Sequence, residues 1–327
     1  MKFNLLHKYV IIGMFFLGAL IMYFYSMQTV TTFPRKHWNF QSIDTMKYSR
    51  DRAREMFSDP KYANQVEVQV SNIANTGASY MAIDTPYDDE FKPVLALWVR
   101  TARKHNLRIW FRGNFAGWEQ WFGYAQIDQK THTEKTQAFI RKNASLFEDG
   151  DIFSACPECE NGQHLATGNI NEVIAYRRFL ISNYQASKAA FKEINKNVAS
   201  NFYSMNLDVA KAVMDQNTTR ALDGMVVIDH YVKSPQELAQ DVVNIAQLTG
   251  GNVVVGEMGA PIPDIHGPMT NEQQKKWLLD SLLLLSSIDS LKGVNYWVNR
   301  DGSTALWNDD NSPKPAVEII KQFYGGE

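Results

Sequence analysis

The chain has 327 residues, of which 45% are hydrophobic and 21% are charged. This composition excludes an intrinsically disordered protein, because it supplies enough apolar surface for a buried core. Its 33 basic and 35 acidic residues leave a net charge of −2, which argues against a nucleic-acid-binding protein.

An apolar run occupies residues 9–27 and contains no charged residue. As a helix, a run of this length just spans a hydrocarbon core about 30 Å thick. Lys2 and Lys8 precede it, which predicts an uncleaved signal anchor after a cytoplasmic tail at 1–8, with a linker at 28–37. A cleaved signal peptide is the alternative, although no small-x-small cleavage site ends the run. Both interpretations place residues 38–327 outside the cytoplasm, either membrane-anchored or secreted.

Beyond the linker, eight strand-like segments alternate with eight helical segments. The predicted strands are 40–46, 80–84, 108–112, 152–156, 199–203, 225–229, 253–256 and 293–298. The predicted helices are 65–75, 91–105, 134–148, 172–195, 207–216, 235–248, 271–286 and 315–323. Strict alternation predicts parallel strands with crossover helices, and eight such units favour a single (β/α)8 barrel. A doubly wound sheet is the alternative, but no glycine-rich phosphate loop follows the first strand.

Glutamates follow two of the predicted strands, where the active sites of such barrels lie. Glu158 and Glu160 follow the fourth strand, and Glu257 follows three valines of the seventh strand between Gly256 and Gly259. Two carboxyl groups at one barrel mouth suit glycoside hydrolysis with retention, in which one carboxylate attacks while a protonated partner donates to the leaving oxygen. We assign Glu257 as the nucleophile and Glu158 as the acid/base, with Glu160 as the alternative acid/base.

The run Val-Val-Gly-Glu-Met-Gly-Ala-Pro at 254–261 resembles the nucleophile strand of clan A glycoside hydrolases, which include family 5. In that clan the acid/base follows strand four, where this chain has Pro157-Glu158, and strand eight ends in tryptophan, which matches Trp297. The resemblance extends over nearly all of 38–325 and implies a retaining (β/α)8 glycosidase.

The sixth strand ends in Asp-His-Tyr, and the resemblance implies that His230 and Tyr231 lie beside the nucleophile. The chain departs from the clan at two points. Pro157 replaces the asparagine that commonly contacts the sugar 2-hydroxyl, and the arginine expected after strand two is missing. Arg112, at the end of strand three, is a candidate to support Glu257 instead, with a surface salt bridge as the alternative.

Aromatic residues form 12% of the chain, which is more than a core obviously needs. Sugar rings present C–H faces that pack on aromatic rings, so tryptophans at a barrel mouth suit saccharide binding. The expected substrate contacts are Trp297, Trp307, and the third-loop residues Asn114, Trp118 and Trp121. The alternative for this loop is that it folds over its own hydrophobic cluster.

The two cysteines, Cys156 and Cys159, are too few for a fold that depends on several disulfides for its stability. Their spacing is that of a redox or metal motif. With Glu160 and His164 nearby, a metal site and a disulfide are both possible interpretations. The remaining histidines lack partner spacing and are predicted to be surface residues: His37, His105, His132 and His266.

These features predict a membrane-anchored retaining β-glycoside hydrolase that acts on an extracytoplasmic oligo- or polysaccharide. We expect a monomeric catalytic domain without metal, organic cofactor or nucleic-acid partner. A non-catalytic carbohydrate-binding barrel, which has lost turnover through the Pro157 change, is one alternative. A transglycosylase that uses the same carboxyl groups is another.

Overall fold

The computed structural model describes residues 38–163 and 165–325. The predicted tail, anchor and linker at 1–37 therefore lie outside the described residues, as do His37 and His164. Across the two described ranges, no helix is both long and apolar enough to span a bilayer.

All eight strands are parallel and belong to one sheet. They are β1 Phe40–Asp44, β2 Tyr80–Ile83, β3 Arg108–Phe111, β4 Ile152–Phe153, β5 Ser204–Asn206, β6 Met225–Asp229, β7 Asn252–Met258 and β8 Leu291–Tyr296. Their order is β4-β3-β2-β1-β8-β7-β6-β5. An isolated parallel bridge between Ile152 and Ala199 joins the β4 edge to the chain just before β5, and Phe153 N donates to Ala199 O at 2.8 Å. The sheet closes on itself in this way, which confirms the predicted (β/α)8 barrel.

In the described part of the chain, seven main helices connect the strands and an eighth follows β8. They are α1 Tyr62–Ala74, α2 Lys92–Lys104, α3 Gln129–Lys142, α4 Ile170–Glu193, α5 Leu207–Val213, α6 Pro235–Thr249, α7 Asn271–Ser286 and α8 Ala316–Tyr324. Shorter α-helical turns lie at Met46–Ser49, Glu160–Gln163, Gln216–Ala221 and Pro263–His266, and 3-10 turns lie at Ala53–Phe57, Asp89–Phe91, Trp121–Gly123 and Ala144–Leu146.

Capping side chains explain where the helix predictions hold and where they fail. The bounds of α7 agree with the prediction, because Thr270 and Gln273 form a capping box that fixes its start. Helix α3 begins at Gln129 rather than at residue 134, because Asp128 accepts a hydrogen bond from the Thr131 amide at 2.7 Å and starts the helix earlier.

The fifth strand differs most from its prediction of 199–203. Regular pairing with β6 begins only at Ser204, which lies opposite Val227, whereas Ala199 pairs with Ile152 alone. The segment Ser204–Asn206 therefore forms the strand, because its backbone continues the hydrogen-bonded ladder with β6.

Large aromatic side chains fill the barrel interior. The rings of Phe40, Trp110 and Phe202 meet edge to face with centroids 5.5 to 5.6 Å apart. Glycine is required opposite them on β8, because a Cβ at Gly293 would lie 2.2 Å from the Phe40 ring. The barrel is thus a packed core, and its functional side chains must lie at the strand ends.

Candidate active site

Glu257 lies near the carboxyl end of β7 and is only 6% exposed. Arg112 donates through Nη2 to its Oε1 at 2.7 Å, and the Tyr231 hydroxyl donates to its Oε2 at 2.7 Å. Burial raises the pKa of Glu257 and the nearby negative charge of Asp229 raises it further, while Arg112 opposes both effects. Both carboxyl oxygens are therefore held in place by donors, one of which is charged.

A bulge in β7 directs Glu257 into the site. Val255 pairs with Ile228 on β6, yet Glu257 already pairs with Asp229, so Gly256 is one extra residue on β7. Such bulges redirect side chains and are frequent beside active sites. A Cβ at Gly256 would lie 2.4 Å from Asp229 Oδ1, so only glycine allows the Asp229 side chain to lie against this backbone.

Arg112 follows β3 and is the buried cation of the site. Its Nη2 lies 2.7 Å from Glu257 and 3.2 Å from Asp229, and its Nε lies 3.6 Å from Asp84 and 3.7 Å from Asp44. Burial raises the pKa of Asp44, and burial together with the charge of Asp44 raises the pKa of Asp84 well above its usual value. One guanidinium facing four buried carboxyl groups cannot balance them all as anions, so part of this cluster retains protons.

Glu158 lies in the loop after β4 and has a left-handed backbone with φ of 43°. Its two carboxyl oxygens each accept one side-chain amide hydrogen bond, from Asn206 and Asn161, both at 3.3 Å. Burial raises the pKa of Glu158 to about 8, and the charge of Asp229 is the next largest cause. The charge of Glu158 in turn raises the pKa of Glu257, so the two carboxyl groups lie close enough to interact.

The hydrogen-bond donors differ between the two glutamates. Glu257 accepts a charge-assisted bond from Arg112 and a short bond from Tyr231, and both stabilise a carboxylate. Burial raises the pKa of Tyr231 well above its usual value, so this hydroxyl keeps its proton and remains a donor. Glu158 receives only neutral amide donors at longer distances, so the hydrogen bonds favour the carboxylate form more strongly at Glu257 than at Glu158. The site can supply one nucleophile and one acid.

Glu160 and His230 have other partners. Glu160 Oε1 accepts from the Asn206 backbone amide at 2.8 Å, and its Oε2 accepts from the Tyr176 hydroxyl at 3.4 Å. These contacts tie Glu160 to the end of β5 and to α4. The His230 ring pairs with Asp241 on α6 at 2.8 Å, and only its backbone amide reaches the Glu257 carbonyl oxygen, at 2.9 Å.

Two of the predicted tryptophans are partly exposed at the strand ends. Trp297 follows β8 and meets the Tyr231 ring edge to face at 5.8 Å. Trp121, in the loop after β3, has the Arg50 guanidinium 4.6 Å from its ring centroid. Each retains ring surface that a ligand can cover.

Three other residues expected to contact substrate require correction, because the structure buries them. Trp118 is fully buried, stacks on Phe179 at 5.4 Å and donates through Nε1 to Cys159 O at 2.9 Å. Asn114 is also fully buried. Trp307 is 5% exposed and pairs through its backbone with Pro313. The third loop thus largely folds over its own cluster, which was the alternative interpretation.

Cys156 and Cys159 form a disulfide around the loop that contains Glu158, so of the two interpretations of this motif the structure has the disulfide. Among the described residues, no group of three or more His, Cys, Asp or Glu side chains is arranged to hold a metal ion. The prediction of a surface position was wrong for His132, which is fully buried, and burial lowers its pKa to about 3. Its Nε2 lies 2.9 Å from Asn114 Oδ1.

The sequence reasoning missed three aspartates that complete the buried cluster. Asp44 ends β1, Asp84 directly follows β2 and Asp229 ends β6. All three are almost completely buried. The sequence contained a signal for them, because these aspartates stand at or near the ends of predicted strands, as the selected glutamates do.

No family model and no curated protein matches this chain. Solved structures do match it. A β-glycosidase named BGL167 aligns with 89% of this chain and 97% of its own, at 13% identity and a TM-score of 0.56. A GH5_18 protein from Bifidobacterium longum, in complex with Manβ1-4GlcNAc, aligns with 88% of this chain and 78% of its own, at 12% identity and a TM-score of 0.61.

This chain shares its fold with these glycoside hydrolases. A β-D-glucuronidase from Dictyoglomus thermophilum extends the similarity, with 12% identity and a TM-score of 0.56 over 89% of this chain. This chain spans about half of that protein, 51% of its length. At these identities the glycoside hydrolase neighbours establish the barrel, and the chemistry has to be argued from the residues at its mouth.

Proposed function

We propose that this protein is a retaining β-glycoside hydrolase that acts on an oligo- or polysaccharide, with Glu257 as the nucleophile and Glu158 as the acid/base. The observation that carries the proposal is the pair of glutamates after β4 and β7, of which Glu257 accepts short bonds from Arg112 and Tyr231 while Glu158 accepts only longer amide bonds. Pairs of carboxyl groups with separated pKa values are the usual sign of an acid and a nucleophile in one site. The glycoside hydrolase neighbours support the same reaction class.

In the first step the Glu257 carboxylate attacks the anomeric carbon while Glu158 gives its proton to the leaving oxygen. The glycosidic bond breaks and a glycosyl ester of Glu257 forms. In the second step Glu158, now ionised, takes a proton from water, the water oxygen attacks the same carbon, and Glu257 is released. Arg112 and Tyr231 keep the Glu257 oxygens oriented throughout, and the open face of Trp297 packs against the sugar.

The direct test is a panel of aryl β-D-glucosides, β-D-mannosides and β-D-glucuronides, with the first-formed anomer followed by proton NMR. We expect at least one glycoside to be cleaved to the β-anomer. The matching 2-deoxy-2-fluoro glycoside with an activated leaving group should label Glu257, as located by mass spectrometry of the digested protein. An α-anomer as the first product, or a label on another residue, contradicts the proposal.

The same panel separates the other candidate activities. A carbohydrate-binding barrel would be stabilised thermally by the sugar without releasing product. A transglycosylase would transfer the glycosyl group to an added sugar acceptor in preference to water. Glu158→Gln should lower the hydrolysis of poor leaving groups by about 10² to 10⁴-fold, whereas Glu160→Gln should stay within about tenfold.

We also propose that the catalytic domain is anchored to the membrane and works outside the cytoplasm. The apolar run at 9–27 supports the anchor, and the Cys156–Cys159 disulfide supports an oxidising compartment. Protease added to cells stripped of their outer layers, so that only the cytoplasmic membrane is intact, should degrade the membrane-bound full-length chain. A chain that stays protected until the cytoplasmic membrane is broken contradicts this topology.

A further inference from the structure

Glu158 occupies an unusual backbone position for a residue with a catalytic role. Its φ of 43° lies in the left-handed region, where a side chain other than that of glycine is disfavoured. Such conformations cost about 1 to 3 kcal/mol and persist only where the surrounding structure enforces them. Something in this loop must therefore hold Glu158 in place.

The side chain of Glu158 does not provide that hold. Its contacts are the two amide bonds at 3.3 Å from Asn206 and Asn161, and Asn206 is itself exposed. Glu257, by contrast, is fixed at both oxygens by bonds of 2.7 Å. The direction of the Glu158 carboxyl group is consequently set by its backbone.

The backbone on either side of Glu158 is fixed by buried contacts. The disulfide joins Cys156 and Cys159, whose Cα atoms are 5.1 Å apart, and both residues are almost completely buried. Cys159 O accepts from Trp118 Nε1 at 2.9 Å, and Asn114 Nδ2 donates to Cys156 Sγ at 3.4 Å. The amide of Glu158 itself donates to Ser204 O at 2.8 Å.

We propose that the Cys156–Cys159 disulfide is a positioning element for catalysis, which holds Glu158 in its left-handed conformation and thereby aims its carboxyl group at the leaving oxygen. Trp118 and Asn114 act through the same loop, which gives a role to two residues that the sequence placed in substrate binding. This inference rests on the proposed function, because it requires Glu158 to be the acid/base. Without the cross-link, the loop is free to relax to an ordinary backbone conformation and carry Glu158 toward water.

The test compares two leaving groups on the sugar that the panel identifies. A 2,4-dinitrophenyl glycoside releases an acidic phenol that needs no proton, whereas the unsubstituted phenyl glycoside needs one from Glu158. In the double variant Cys156→Ala/Cys159→Ala, we expect kcat/KM for the phenyl glycoside to fall by about 10²-fold and that for the dinitrophenyl glycoside to stay within about threefold. The alkaline limb of the pH profile should also move to lower pH, because a solvated Glu158 loses the burial that raises its pKa.

Leu282→Ala is the matched control, because Leu282 is fully buried on α7, a helix that packs mainly against α6 and α8. Its loss of packing should affect the two substrates equally. Should the double variant not fold, Trp118→Phe preserves the aromatic ring but removes the donor to Cys159 O, and it should give the same selective loss at smaller size. Thermal unfolding of each variant establishes that the folded protein is being compared.

Equal losses for both leaving groups, or no loss for either, would overturn the inference while leaving the proposed function intact. A wild-type protein that cleaves no glycoside of the panel overturns the proposed function and this inference together.

Discussion

The two glutamates of the site occupy barrel regions of different construction. Glu257 is part of strand β7, next to its bulge at Gly256, and charged and hydroxyl donors fix its carboxylate. Glu158 lies in a loop, and its position depends on the backbone around a disulfide. A nucleophile is thus stabilised as an anion by the donors it touches, whereas an acid keeps its proton where charged donors are absent.

The largest effect is expected from Glu257→Gln, which keeps the shape of the side chain but removes the attacking oxygen anion. The kcat for the best aryl β-glycoside should fall by about 10⁴-fold or more, since no glycosyl ester can form. The measurement is steady-state hydrolysis by protein freed of wild-type contamination. If the variant retains ordinary turnover, Glu257 is not the nucleophile, and the different roles assigned to the two glutamates are wrong.

Arg112→Met tests whether the Arg112 guanidinium stabilises the four buried carboxyl groups around it. It leaves four buried carboxyl groups without their shared cation, so the free energy of unfolding at pH 7 should fall by about 3 to 5 kcal/mol in urea denaturation. Burial already raises the pKa values of Asp44, Asp84 and Glu257, and loss of the Arg112 charge raises them further above their unfolded values. The stability lost at pH 7 is then regained as the pH falls toward 5, because protonation removes the unpaired charge.

Arg108→Met is the control for Arg112→Met. Arg108 begins β3 and is exposed, so its replacement should change the free energy of unfolding by less than about 1 kcal/mol. Comparable losses for the two arginines would contradict the central role of Arg112.

Tyr231→Phe tests the second donor to the nucleophile. It removes a hydrogen bond to a charged group, which is worth about 1.5 to 3 kcal/mol, so kcat should fall by about 10 to 150-fold. His230→Gln is the neighbouring control and should change kcat by less than about threefold, because the His230 ring pairs with Asp241 instead. The reverse order of effects would show that the imidazole, and not the phenol, acts on Glu257.

The smallest effect concerns the pH profile. Glu158 donates only while protonated, and its pKa of about 8 predicts that kcat/KM falls above about pH 8. Asp229→Asn removes a negative charge that raises this pKa, so the alkaline limb should move to lower pH. A limb that lies one pH unit lower reduces kcat/KM at pH 8 by about fivefold. An alkaline limb that stays in place, or moves to higher pH, in Asp229→Asn contradicts this prediction. The control is Asp208→Asn, which replaces an exposed acid on α5 and should leave the limb unchanged.

Much of the fold could be predicted from the sequence because strand and helix periodicity is a local property. All eight strands and all eight main helices exist near their predicted positions, and β6 agrees in both bounds. The prediction was poorest at β5, where Ser204–Asn206 form the strand instead of 199–203. There the hydrogen-bonded neighbour, and not the local pattern, decides which residues pair.

Among the site residues, the glutamates were accessible to sequence reasoning because they end apolar strands. The burial of Trp118 was not, because it depends on the contacts of a long loop with α4 and with Cys159. Asp44, Asp84 and Asp229 likewise become one cluster only when three distant strand ends converge on Arg112.

By itself, the sequence determined the alternation of strands and helices, the two glutamates that follow β4 and β7, and the apolar run at 9–27. These follow from patterns within short stretches of chain, where composition and spacing are sufficient. Only the tertiary structure decided which glutamate faces a guanidinium and which faces amides, and which aromatic rings remain open to a ligand. Protonation and exposure depend on neighbours that are distant in sequence, and it is the closure of the barrel that brings those neighbours together.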